Sequence, residues 1–116
     1  MSGHIRLKRV YDPPEPADGC RVLVDRLWPR GLSKSEAAVD VWLRDVAPSD
    51  GLRRWFGHRV ERWEEFRRRY RAELDGNPAV GELRSMGGRD ITLLYGAKDE
   101  AHNQAQVLAE YLHEHR

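Results

Sequence analysis

The sequence predicts a small three-layer α/β domain: a mainly parallel sheet, helices on both of its faces, and a helical insert between strands. Three observations predict it. Two apolar runs, Val22-Leu23-Val24 and Ile91-Thr92-Leu93-Leu94-Tyr95, have the pattern of strands buried on both faces. Each run leads through a turn into a helical pattern, the order of a βα unit. The 116 residues suffice for one core, so 1–116 reads as a single domain.

Taken in order, Ile5 to Val10 alternates apolar and charged residues, as a half-exposed strand near a sheet edge does. Pro13, Pro14 and Pro16 forbid helix and favour an extended loop. The central strand follows, Arg21 to Asp25. Ser33 with Glu36 three residues later is a capping box, so a short helix starts there. Asp40 to Val46 alternates again and reads as a short strand. Ser49 is a good N-cap for a turn of helix carrying Leu52, Trp55 and Phe56. A longer helix is predicted over Val60 to Leu74, with Val60, Trp63, Phe66, Tyr70 and Leu74 on one face. Glu64–Arg68 and Glu65–Arg69 pair on the other.

Gly76 suits the end of that helix, and Asn77-Pro78 starts the next, which buries Val80, Leu83 and Met86 and stops at Gly87-Gly88. After the second apolar strand, Gly96-Ala97-Lys98-Asp99 turns the chain. Asp99 is the expected cap of a last helix whose inner face is Ala101, Ala105, Leu108 and Leu112.

Lys+Arg 20 against Asp+Glu 19 leaves a formal charge of +1, too little for a general nucleic-acid or membrane-surface binder. No stretch approaches the ~20 apolar residues of a membrane span. The single cysteine, Cys20, excludes an internal disulfide, so a reducing, cytoplasmic location is the expectation. Phosphate-loop, dinucleotide-fingerprint, zinc-spacing and nucleophile-elbow motifs are all absent, so no metal site is expected and no cofactor is named.

Chemistry is expected where strands meet helices. Parallel strands would bring three breaks, Arg26 to Ser33, Ala47-Pro48-Ser49 and Tyr95 to Asp99, to one end of the sheet, each feeding a helix N-terminus. Arg26, Arg30, Lys34 and Lys98 add positive charge there. Such a rim suits a small anionic, phosphate-bearing ligand. Ser49 and Asn103 are candidates for positioning it, and His102 and Tyr95 for proton transfer. Each has a plainer reading. Arg26 could pair with Asp25 or Asp45, Ser49 could only cap, Tyr95 could only pack, and His102 could face solvent. Trp28 and Trp42 read as packing, and Cys20 as an inert thiol.

Arg53 to Arg71 holds eight arginines against three glutamates, a local excess of five. A nucleic-acid-binding or regulatory module is the alternative this allows. The aromatics in the run share the buried face, which favours a solvated face laced by ion pairs.

The run Asp25-Arg26-Leu27-Trp28-Pro29-Arg30-Gly31, with Trp42, Ala47-Pro48-Ser49, Trp55-Phe56, His58, Trp63, Thr92-Leu93-Leu94-Tyr95, Lys98-Asp99 and His102-Asn103, resembles the YeaO-like branch of the domain of unknown function 488 family. The resemblance spans Tyr11 to Leu112. It implies a small bacterial or archaeal α/β protein and brings no assigned reaction. Longer relatives carry a Glu and a Cys-His-Arg run at the start of the last helix. Ala97 and Asn103-Gln104-Ala105 stand in those places here, so the resemblance transfers no chemistry that depends on that run.

Overall fold

A computed structural model describes residues 3–86 and 88–114. Met1, Ser2 and Gly87, and with Gly87 part of the predicted helix stop, lie outside them. The strands are β1 (Ile5–Arg9), β2 (Cys20–Leu23), β3 (Val41–Trp42) and β4 (Ile91–Tyr95). They form one sheet in the order β1-β4-β2-β3, parallel throughout. Ile91 faces Ile5 on one side and Cys20 on the other, and Leu94 faces Lys8 and Leu23. The two apolar runs are therefore neighbours at the centre of the sheet, and Ile5–Arg9 is an edge strand as its alternation predicts.

Strand periodicity sorts the side chains onto two faces. Val22, Val24, Ile91, Leu93 and Tyr95 face the main core. Helices α2 (Asp50–Phe56), α3 (Trp63–Asp75), α4 (Val80–Arg84) and α5 (Gln104–Glu114) cover it. Leu23, Leu94 and Val10 face a thinner layer made by α1 (Lys34–Ala37) and the loop carrying Trp28 and Leu32. Beside that layer a 3₁₀ turn, Pro16–Asp18, lies across the sheet. There Thr92 donates to the Asp18 carbonyl at 2.7 Å, and Asp18 binds Lys8 and Arg21 at 2.8 and 2.7 Å. Asp18, Arg21 and Thr92 are buried. Gly19 makes this crossing possible: its φ is 63°, and a Cβ there would lie 2.3 Å from the Asp90 carbonyl oxygen.

The capping box is formed, with Ser33 Oγ accepting from Glu36 N–H and Glu36 accepting from Ser33 N–H. Other expectations need correction. The strand read over 40–46 shrinks to Val41–Trp42, because Arg44–Val46 coils into a 3₁₀ turn. The helix read from Val60 begins as a 3₁₀ turn, Val60–Arg62, and Val60 is 53% exposed rather than core. Glu64 pairs with Arg67 instead of Arg68, whereas Glu65 takes both Arg68 and Arg69. Asn77 caps a turn before α4 by accepting from Ala79 N–H, and Met86 is only half-buried. Asp99 likewise caps a turn, accepting from the N–H groups of Ala101 and His102. Asn103 caps α5 itself by accepting from Gln106 N–H, which leaves Ala101 exposed.

Candidate functional site

Because all four strands run the same way, their carboxyl ends share one edge. A cleft of about 430 Å³ opens there, at the ends of β2 and β4. The loop after β2 supplies one wall, and Ala47-Pro48 with α2 supplies another. The β4–α5 connection supplies the third.

Asp25 follows the central strand and is half-buried in the cleft. One carboxylate oxygen accepts from Gly96 N–H at 2.8 Å, the other from the Gln104 side-chain amide, and its carbonyl accepts from Trp42 Nε1 at 2.8 Å. It thus ties together β2, β3 and the β4–α5 loop. Burial pushes its pKa up, opposed by the bonds from Gly96 and Gln104 and by nearby His58.

Three arginines line the same cleft: Arg26, Arg30 and Arg53. Arg26 pairs with neither Asp25 nor Asp45. Its Nε lies 3.6 Å from an Asp50 carboxylate oxygen, and Arg53 reaches that same oxygen at 3.3 Å. The two guanidinium groups are therefore close neighbours. Arg26 Nε is buried and has no hydrogen-bond partner among the described residues, the Asp50 oxygen at 3.6 Å being an ion-pair contact only. Arg30 is exposed and makes no ion pair among the described residues; only its carbonyl is used, by the Tyr11 hydroxyl at 2.9 Å. Against three guanidinium groups the lining holds one carboxylate, Asp25.

Two histidines, His58 and His102, also line the cleft, with Tyr11, Asn103 and Gln104. His102 Nδ1 sits 2.9 Å from Asp99 Oδ2, so Nε2 is the nitrogen left for another partner. The bond from His102 first, and the backbone N–H groups of Ala101 and His102 with it, hold the Asp99 carboxyl below its usual range. The His102 ring also meets Trp63 edge-on at 5.2 Å. His58 has a φ of 59°, a left-handed conformation that is uncommon outside glycine and concentrates at functional positions.

Of the residues the sequence nominated, Arg26, Arg30, His102 and Asn103 line the cleft, and Lys34, Ser49, Tyr95 and Lys98 do not. Asn103 is buried, with its amide donating to the Asp99 and Glu100 carbonyls, so it shapes the loop. Ser49 Oγ donates to Glu73 at 2.6 Å and accepts from Leu52 N–H, so its hydroxyl is already engaged. Tyr95 is buried in the main core, and burial raises its phenol pKa. Lys34 starts α1 on the opposite face of the sheet, and Lys98 is exposed in its loop.

Asp25, His58 and Gln104 were not nominated, and Arg53 only as part of the Arg-rich run. Asp25 had a signal, since a carboxylate directly after a buried parallel strand sits where such sheets bind ligands. Gln104 directly follows the nominated His102 and Asn103, whereas Arg53 and His58 come from a distant segment that only the fold brings here.

The Arg-rich run is laced as its aromatic pattern predicts. Arg67 binds Glu64 and Glu110, Arg68 and Arg69 bind Glu65, and Arg71 binds Glu114. Arg62 and Arg69 also lie over the Trp55 ring. Cys20 is a free thiol whose pKa is raised by burial, in keeping with an inert group. Among the described residues no three His, Cys, Asp or Glu side chains are grouped to hold a metal ion, and no helix is long and apolar enough to cross a membrane.

The chain is 45% identical over 109 residues to the uncharacterised protein Rv3073c of Mycobacterium tuberculosis, covering 93% of this chain and 92% of that one. It is 45% identical over 111 residues to the uncharacterised protein YeaO of Escherichia coli, covering 94% of this chain and 96% of that one. No solved structure matches. A family profile described as the inactive DUF488-N3 subclade matches residues 4–116. The chain belongs to the DUF488 family, within the DUF488-N3 subclade described as inactive.

Proposed function

We propose that this protein binds a small phosphate-bearing anion in the cleft at the carboxyl rim of its sheet. One observation carries the reading: Arg26, Arg30 and Arg53 line a single cleft whose one carboxylate, Asp25, is occupied by donors from Gly96 and Gln104. Arg26 is held by one ion pair at 3.6 Å and Arg30 by none among the described residues, so both guanidinium groups can serve a ligand. Arg53 would join them from α2.

His102 would donate or accept through Nε2, with Asp99 fixing the ring. Asn103 acts one step behind, by holding the loop that presents His102. The family description favours binding without turnover, and the Asn103-Gln104-Ala105 sequence agrees with it. The Arg-rich run offers less to a nucleic acid, since six of its eight arginines, Arg53, Arg62, Arg67, Arg68, Arg69 and Arg71, are engaged within the protein.

The test is a thermal-shift screen of phosphate compounds on wild type, Arg26→Ala and Arg30→Ala. The midpoint should rise in wild type and much less in either variant. An equal rise in all three would place the anion elsewhere and refute the reading.

A further inference from the structure

The cleft is too large and too apolar for a bare phosphate. Its volume of about 430 Å³ falls in the range of sites that hold whole organic ligands. The guanidinium groups occupy only part of its wall. Beside the polar groups already named, the lining has an apolar part: Leu27 and Trp28, with the edges of the otherwise buried Pro29, Pro48, Phe56 and Phe66. Phe56 and Phe66 stack at 4.3 Å, and Trp28 is braced edge-on by Trp42 at 5.4 Å. The Trp28 indole is fixed by a 2.8 Å bond to the Leu32 carbonyl. These rings are held rigidly, so an incoming ring would find its surface already ordered. At the lip, Leu27 is 62% exposed, the most exposed large apolar side chain among the described residues. Because it also lines the cleft, its exposed side chain is available to pack against an apolar part of a ligand.

Resting on the anion-binding reading above, we infer that the ligand is a planar aromatic or heteroaromatic compound carrying a phosphate. The arginines take the charged group, and the ring packs against the apolar lining that Leu27, Trp28 and Phe56 contribute. Flat guanidinium groups at the boundary suit such a molecule, because they bind oxyanions at their edges and stack rings on their faces.

The experiment compares inorganic phosphate, methyl phosphate and phenyl phosphate by calorimetry on wild type and Leu27→Ala. Phenyl phosphate should bind at least tenfold more tightly than methyl phosphate to wild type. The ratio should fall severalfold in Leu27→Ala, whose exposed site removes no core packing. Phenyl protons should show NOEs to the Leu27 methyls and the Trp28 ring. Equal affinity for phenyl and methyl phosphate would overturn the aromatic assignment and leave the anion site standing. Tighter phenyl binding without those NOEs and unchanged by Leu27→Ala would overturn the location. Binding of none of the three would overturn both readings.

Discussion

Asp18 should control the acid limit of stability. Its carboxylate is buried beneath the 3₁₀ turn, where burial alone would raise its pKa. Hydrogen bonds from Lys8, from Glu15 N–H and from Arg21 outweigh that and bring it from 3.8 to about 2. A folded-state pKa below the unfolded one stabilises the protein once the unfolded chain's carboxyl is ionised. The contribution is therefore complete above about pH 4 and is lost as pH falls toward 2. Each tenfold in proton affinity is about 1.4 kcal/mol, so most of a contribution of roughly 2 kcal/mol disappears across that window. That is a large share of the ~5–15 kcal/mol typical of a domain. Urea unfolding at intervals from pH 6 to 2 measures it, with Asp18→Asn as the comparison. The variant should start weaker by about 3–5 kcal/mol, because Arg21 keeps its buried charge without its partner. It should then lose less stability between pH 4 and 2 than wild type does. Parallel curves through that interval would refute the assignment. Lys8→Met provides a milder check, since removing the strongest of the lowering bonds should move the acid transition to higher pH.

Asp25 shows the opposite sign. Its pKa is raised, so the folded state holds the proton longer and stability falls as pH rises above 3.8; carbon NMR of its carboxyl should place its midpoint above that value. Tyr70→Phe should cost about 1–3 kcal/mol in urea unfolding, because the buried hydroxyl donates to the Val46 carbonyl at 2.6 Å and nothing replaces it. Gly19→Ala should lower the thermal midpoint more strongly than Gly51→Ala. At Gly19 the φ is positive and Asp90 backbone blocks the Cβ, while the space at Gly51 is open. Arg30→Ala should weaken phosphate binding by about 10- to 100-fold by calorimetry, the value of one charge-assisted bond, with little change in unfolding midpoint.

Periodicity made the sheet legible. Two residues per repeat and unbroken apolarity admit few placements for Val22–Val24 and Ile91–Tyr95, and the parallel pairing follows from the helices between them. Caps were legible where one residue could serve, as at Ser33 and Ser49. They misled where two could: Asp99 and Asn103 are both good caps four residues apart, and the earlier one closes only a turn. The start of α3 failed for a related reason. A 3₁₀ turn and an α-helix share an i,i+3 neighbour, so Val60 fits the apolar stripe on paper while sitting in solvent.

The site divides along the same line. A loop that ends a predicted strand announces its own rim, and Arg26 and Arg30 were found that way. Lys34 and Lys98 satisfied the same rule and do not line the cleft: α1 lies on the other face of the sheet, and Lys98 is exposed in its loop. Arg53 and His58 reach the cleft through the packing of α2 on the main face, which no local pattern encodes. The cleft itself is a consequence of Asp25. By accepting from Gly96 and Gln104, it locks the β4–α5 connection to the tip of β2 and sets the distance between the walls. A lysine or arginine in the place of Gln104 would neutralise Asp25 directly and crowd the arginines with a further cation. A neutral amide holds the same geometry without adding a cation beside Arg26, Arg30 and Arg53.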